Sequence, residues 1–69
     1  MKDFEDFLQS LSDEVLNELE SKASSQANEK FENNKANFSE IVLPIIHERY
    51  FNTYMTIALL EKYHQWLAE

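Results

Sequence analysis

The stretch that decides the fold runs from Pro44 to Leu67 and reads PIIHERYFNTYMTIALLEKYHQWL. No helix-breaking residue follows its first position, which predicts one long helix over residues 40–67. Pro44 either starts the main body of this helix or kinks it one turn in. At about 100° per residue, apolar side chains fall on two sides of the helix. One side carries Ile41, Ile45, Met55, Leu59, Tyr63 and Trp66, and another carries Leu43, Ile46, Tyr50, Tyr54, Ile57 and Ala58.

A helix that is apolar on most of its sides is normally buried on most of its sides. The residues before Ser39 supply too little surface to cover this one, so a second copy or a foreign partner is expected to cover the rest. Tyr and Trp are enriched at protein interfaces. The candidate residues of such an interface are Tyr50, Phe51, Tyr54, Ile57, Tyr63 and Trp66.

Two shorter helices are predicted ahead of the long one. In residues 3–11, apolar side chains recur with the i, i+3, i+4, i+7 spacing of one helical face: Phe4, Phe7, Leu8 and Leu11. In residues 13–34, Ser12 is the expected N-cap, and an apolar stripe advances mostly in steps of four. That stripe consists of Val15, Leu16, Leu19, Ala23, Ala27 and Phe31.

The middle of the second helix is rich in Ser and Ala. Either a neighbouring helix approaches closely there, or the stretch is loosely held. Glu18 and Lys22 are placed to form a favourable i, i+4 pair. The helix is expected to end near Asn33–Asn34, because Asn tolerates the left-handed conformation that Gly usually takes at a C-terminus. Ser39 is a candidate cap for the third helix.

Length and composition limit the remaining possibilities. The chain has 69 residues and 8.2 kDa, with no Gly, no Cys and one Pro. Such a chain forms one small domain, with neither a disulfide nor a thiolate zinc site to stabilise it. Without Gly, phosphate-cradling loops and dinucleotide-binding turns are not expected. The predicted fold is therefore a single all-α domain over residues 1–69, with three helices at about 3–11, 13–34 and 40–67, forming a helical homodimer.

The net charge of -7 is concentrated near the N-terminus. Residues 1–21 hold seven acids against one base, Lys2. A surface dense in carboxylates can occupy a cleft that evolved for phosphates, whereas the simpler interpretation is that these acids keep a small protein soluble. Direct binding to nucleic acid is disfavoured by charge. The candidate acidic face consists of Asp3, Glu5, Asp6, Asp13, Glu14, Glu18 and Glu20.

The sequence offers little catalytic chemistry. His47-Glu48 lacks the second His four residues later that a zinc-protease helix requires. Glu61 and His64 have the Glu-x-x-His spacing of di-iron bundles, but one copy is half a site, and polar neighbours favour a solvated helix end. No hydroxyl side chain lies in a nucleophile motif. We expect no enzyme activity, no cofactor and no metal. The acidic N-terminus and the absence of a long apolar run predict a cytoplasmic protein without a membrane segment.

Three features carry a resemblance to a known group of proteins. They are the block Phe4-Glu5-Asp6-Phe7-Leu8, the Ser/Asn-rich second helix, and the ending that runs from Leu59 to Leu67 (LLEKYHQWL). In these the chain resembles small helical proteins encoded by phages and prophages of Gram-positive bacteria. It is similar to anti-CRISPR proteins in being small, acidic and free of catalytic motifs. The resemblance implies action in the host cytoplasm as a host-takeover or anti-defence factor.

Two main functions remain open at this point, beside a weaker third in which Glu61 and His64 belong to a di-iron or zinc bundle. In the first, the protein is a phage accessory protein that binds, through its acidic face, a host or defence protein that handles nucleic acid. In the second, it is a structural protein whose main partner is itself.

Overall fold

The chain is helical almost throughout. A computed structural model describes residues 3–69 as α1 (Phe4–Ser10), α2 (Asp13–Asn34) and α3 (Leu43–Ala68), with a 3₁₀ turn at Lys35–Asn37. No β-strand occurs in the described residues. The predicted all-α class with three helices is confirmed.

The first residues of α2 and α3 carry the sequence signals that start these helices. Ser12 is the N-cap of α2, and its hydroxyl accepts a hydrogen bond from the Val15 amide at 3.2 Å, as predicted. Pro44 lies in the first turn of α3, where its missing N–H leaves no helical bond unmade. It therefore starts the helix and does not kink it.

Two predictions about helix ends are wrong: the left-handed conformation at the C-terminus of α2, and Ser39 as the N-cap of α3. The second helix ends at Asn34 as expected, but no described residue has a positive φ. The chain instead continues through right-handed 3₁₀ geometry at Lys35. Ser39 does not cap α3, because that helix begins later, at Leu43, with Val42 as its N-cap residue. The Ser39 hydroxyl accepts from the Ile41 amide within the preceding turn.

The two long helices form an antiparallel hairpin. Residues early in α2 contact residues late in α3: Lys22 Nζ lies 3.4 Å from Glu61 Oε2. Near the other end, His47 Nε2 lies 2.6 Å from Asn28 Oδ1, and the His47 ring packs edge-on against Phe31. The Lys22 contact also corrects the expected pair of Lys22 with Glu18, since the lysine reaches across to α3 and not along its own helix.

The contact between α2 and α3 is built on alanines. Ala23 and Ala27 of α2 are completely buried, and Ala58 of α3 is 3% exposed. These side chains occupy one turn-by-turn row of α2 and the facing position of α3, so the two backbones approach closely. Close approach is therefore the correct interpretation of the small residues in the middle of α2.

Helix α1 packs against the C-terminal part of α3 and is held there by aromatic contacts. Phe7 is 2% exposed, and its ring centroid lies 5.1 Å from that of Tyr63 and 5.6 Å from that of Trp66. Phe4 adds an edge-to-face contact with Tyr63 at 5.3 Å. Offset and edge-to-face geometries are those that aromatic pairs prefer. A helix of seven residues is too short to persist alone, so this packing is what retains it.

The resulting core is thin. Its buried hydrophobic residues are Phe7, Ala23, Ala27 and Ala58. Among residues 3–69, eight large hydrophobic side chains are exposed: Phe4, Leu8, Phe38, Ile41, Ile45, Ile57, Leu60 and Leu67. The molecule is a rod with extents of 48 × 20 × 17 Å, and these large hydrophobic side chains lie on its surface.

The alanine contact predicts a sharp response to added volume. Ala27→Leu places a large side chain between two helices that are already in contact, and overpacking of this kind destabilises by about 1–3 kcal/mol. In a domain of this size, each kcal/mol lowers the melting temperature by about 4–8 °C. Thermal unfolding followed by circular dichroism measures the shift. Ser25→Leu, at an exposed position of the same helix, is the matched control, and equal melting temperatures for both variants would contradict the packing.

The aromatic packing predicts a difference between two phenylalanines on α1. Phe7→Ala removes a large side chain that is only 2% exposed, and such truncations cost about 3–5 kcal/mol. Phe4 is 52% exposed, so Phe4→Ala should lower the free energy of unfolding by less than Phe7→Ala. Denaturant unfolding gives the free energies, and hydrogen exchange of the α1 amides shows whether the helix is released. Similar losses for the two variants would show that α1 is not anchored as described.

Candidate interaction site

The predicted acidic residues all lie toward one end of the rod. Three are on α1 or its N-cap, and four are in the first eight residues of α2, which follows α1 after a two-residue connection. Each of the seven is exposed. We call this region the acidic end: Asp3, Glu5, Asp6, Asp13, Glu14, Glu18 and Glu20.

The acidic end is not a single flat face. On α2, Asp13 and Glu20 are separated by seven residues and share one flank, while Glu14 and Glu18 share another. The buried row through Ala23 and Ala27 lies close to the Asp13 and Glu20 flank and on the side of α2 opposite Glu14 and Glu18. The carboxylates therefore wrap around the end of the rod, and a binding partner would have to enclose this end.

Few positive charges among the described residues neutralise the carboxylates of the acidic end. Between residues 3 and 69, the ion pairs are Lys22–Glu61 and Lys35–Glu32, and neither involves a carboxylate of the acidic end. Lys2, the base nearest in sequence, lies outside the described residues. Glu5 and Asp6 occupy the first turn of α1, and Asp13 and Glu14 that of α2, where the helix dipole favours negative charge. The helix starts thus tolerate carboxylates at a density that would otherwise be destabilising.

The predicted aromatic interface is divided into two parts by the fold. Tyr63 and Trp66 are half-buried and packed against α1, so their rings are largely engaged within the chain. Phe51 is half-buried on α3. Tyr50, Tyr54 and Ile57 are brought together on a different side of the molecule, where they line a groove.

This groove lies between α2, α3 and the segment that joins them. Its volume is about 410 Å³, and Lys30 and Arg49 flank its aromatic floor. Lys30 Nζ lies 5.3 Å from the centroid of the Tyr50 ring, within the range of a cation–π contact. The full lining of this cationic groove is Lys30, Phe38, Ile46, Arg49, Tyr50, Thr53, Tyr54 and Ile57.

Sequence reasoning missed Lys30, Phe38 and Arg49. These residues come from three different elements, and only the antiparallel register of α2 and α3 brings them together. The sequence feature that could have indicated this groove is charge. The chain has six bases, and Lys30 and Arg49 are two that lie away from the acidic end. Without the register, that signal does not specify a site.

The residues considered for metal or catalytic chemistry are dispersed. Glu61 is paired with Lys22, while His64 is exposed one turn further along α3. His47 is engaged with Asn28 and Phe31. Within residues 3–69, no group of three or more His, Cys, Asp or Glu side chains is arranged to hold a metal ion. Glu61, His64 and His47 therefore do not share a site in the described part of the chain.

Comparison with known proteins identifies no relative. No protein-family model, curated protein or solved structure matches the chain. None of the helices described in residues 3–69 combines the length and the apolar character needed to cross a bilayer.

Proposed function

We propose that this protein acts by binding another protein, with its acidic end placed in the nucleic-acid-binding cleft of a host or defence factor. In this proposal it is a phage-encoded accessory protein of the anti-CRISPR type, working in the host cytoplasm without a cofactor. The observation that carries the proposal is the cluster of seven exposed carboxylates, none of them ion-paired within the described residues.

The spacing of these charges supports mimicry of a phosphate backbone. Four acids fall within residues 13–20 of α2, which is about one charge per 3 Å of helix axis. Phosphates along one strand of DNA are spaced by about 3.4 Å. Because these acids lie on two flanks, a cleft with Lys and Arg side chains on both walls would meet this linear charge density on α2, whereas a single row of bases would meet half of it.

The rigidity of the acidic end supports the same proposal. Asp3 accepts a hydrogen bond from the Glu5 amide, and Ser12 accepts one from Val15, so each acidic helix has a capped start. Carboxylates carried on an ordered helical backbone require less ordering of the chain on association than those of a disordered acidic tail. A second candidate function, self-assembly, is favoured by a separate observation: the large hydrophobic side chains that remain exposed within the described residues.

Two triple variants test the charge proposal. Glu5→Gln/Glu18→Gln/Glu20→Gln removes three charges from the acidic end. Glu29→Gln/Glu40→Gln/Glu48→Gln removes three exposed charges from elsewhere, so the two proteins have the same net charge. Tagged proteins would be used for affinity capture from CRISPR-active or infected cells, and binding to the captured protein would then be measured at several salt concentrations.

We expect the acidic-end variant to bind about tenfold more weakly or worse, since exposed charge pairs contribute up to about 1 kcal/mol each. Its affinity should also depend less steeply on salt, and the original protein should displace labelled DNA or RNA from its partner. The control variant should bind like the original. Equal weakening of both variants would show that only net charge matters, and unchanged binding by both would exclude the acidic end as the docking surface.

A further inference from the structure

We infer that two copies of this chain pair antiparallel through one outward side of α3, the copies being related by a two-fold axis near Asn52 and Thr53. This inference rests on self-association, the second candidate function. It specifies which surface is covered, in which orientation, and by what.

The surface is a row of exposed residues on α3 spaced by four, four, three and four positions. We call it the outer stripe: Ile45, Arg49, Thr53, Thr56 and Leu60. Its two ends are apolar, since Ile45 is 59% exposed and Leu60 is 55% exposed. This spacing follows one side of a helix and is the kind of row that packs against another helix.

Helix α1 covers one half of this side and leaves the other half open. Ile45 and Tyr63 are 18 residues apart, which is about five turns, so they point in the same direction from α3. Tyr63 is packed against Phe4 and Phe7, whereas α1 does not extend to Ile45. The shortness of α1 therefore leaves an apolar region at the N-terminal half of α3.

The matching apolar region lies at the other half. Leu60 forms, with Phe4 and Leu8 of α1, an apolar cleft of about 210 Å³ that is open to solvent. An antiparallel second copy places its Ile45 against Leu60 and this cleft. Because the pair is two-fold symmetric, Ile45 of the first copy then lies against the cleft of the second copy. Each copy therefore covers the exposed N-terminal half of α3 in the other.

The centre of the outer stripe is suited to being covered. The Thr53 hydroxyl donates to the Arg49 carbonyl oxygen at 2.9 Å, and the Thr56 hydroxyl donates to that of Asn52 at 2.8 Å. Burial of a hydroxyl is unfavourable when its donor is left unpaired. Since these donors are already satisfied within α3, the two threonines present methyl groups that a second helix can cover without that penalty.

Charge selects the antiparallel orientation. In a parallel pair, the two acidic ends would lie side by side and repel. In an antiparallel pair, they lie toward opposite ends of a rod 48 Å long, well beyond the screening distance of about 8 Å in physiological salt. Arg49 lies where the outer stripe borders the cationic groove, one turn from Ile45, and forms no ion pair within the described residues. The antiparallel arrangement places this guanidinium beside the acidic α1 of the second copy.

Single cysteines test both surface and orientation, because the chain has none of its own. Ile45→Cys, Leu60→Cys and the control Ser25→Cys, on the exposed side of α2, would be mixed in pairs and mildly oxidised. We expect cross-links between positions 45 and 60, few between identical positions, and few with position 25. Links of 45 to 45 and 60 to 60 would establish a parallel pair and overturn the inference. Links with position 25 at a comparable yield would show random collision and also overturn it.

Sedimentation equilibrium of the full chain provides an independent measurement. The original protein should have twice the mass of 8.2 kDa, whereas Ile45→Glu should have the mass of one chain, with a helical circular dichroism spectrum. Ser25→Glu adds the same charge on the opposite side and should remain a dimer. An original protein of 8.2 kDa at all concentrations, or an Ile45→Glu variant that remains a dimer, would overturn the inference.

The same proteins separate this inference from the proposed binding function. Glu5→Gln/Glu18→Gln/Glu20→Gln should lose capture of the partner while retaining the cross-links between positions 45 and 60. Loss of capture with intact cross-links supports both statements. If the original protein captures a partner but forms no cross-links between positions 45 and 60, the binding proposal stands and the antiparallel dimer is excluded.

Discussion

The close approach of α2 and α3 at Ala23, Ala27 and Ala58 determines most of the other features of this molecule. Because these methyl groups fill little volume, the two helices are held together by close packing of their backbones and not by a large hydrophobic core. Larger side chains that would form the core of a typical domain lie at the flanks of the contact. From these flanks they line the cationic groove, pack against α1, or remain exposed. A slim hairpin with apolar sides is the direct result.

Sequence reasoning recovers the helices well, because their signals are local. Ser12 and Asp13 mark the start of α2 by capping and charge, and Pro44 is compatible only with the first turn of α3. The partner of Lys22 was assigned incorrectly, since i, i+4 geometry is visible in a sequence and the approach of Glu61 from another helix is not. The different environments of Tyr54 and Tyr63 also depend on where α1 and α2 lie, which periodicity along α3 does not encode.

The same reasoning explains why the candidate site was found only in part. The acidic residues are close in sequence and therefore close in space, so their clustering was predictable. Their division between two flanks of α2 follows from helical geometry, so a single acidic face is too simple a description of them. The cationic groove needs Lys30, Phe38 and Arg49 from three elements, and no pattern in the sequence joins them.

The packing of α1 has a consequence for spectroscopy and folding. The hairpin of α2 and α3 is made of neighbouring segments, which favours rapid formation, whereas α1 is held chiefly by rings at the far end of α3. Trp66 is the one tryptophan of the chain, and it lies against Phe7. Its emission therefore reports the docking of α1, while far-ultraviolet circular dichroism is dominated by the two long helices. The molecule thus carries a natural optical probe that can resolve two steps of its own assembly.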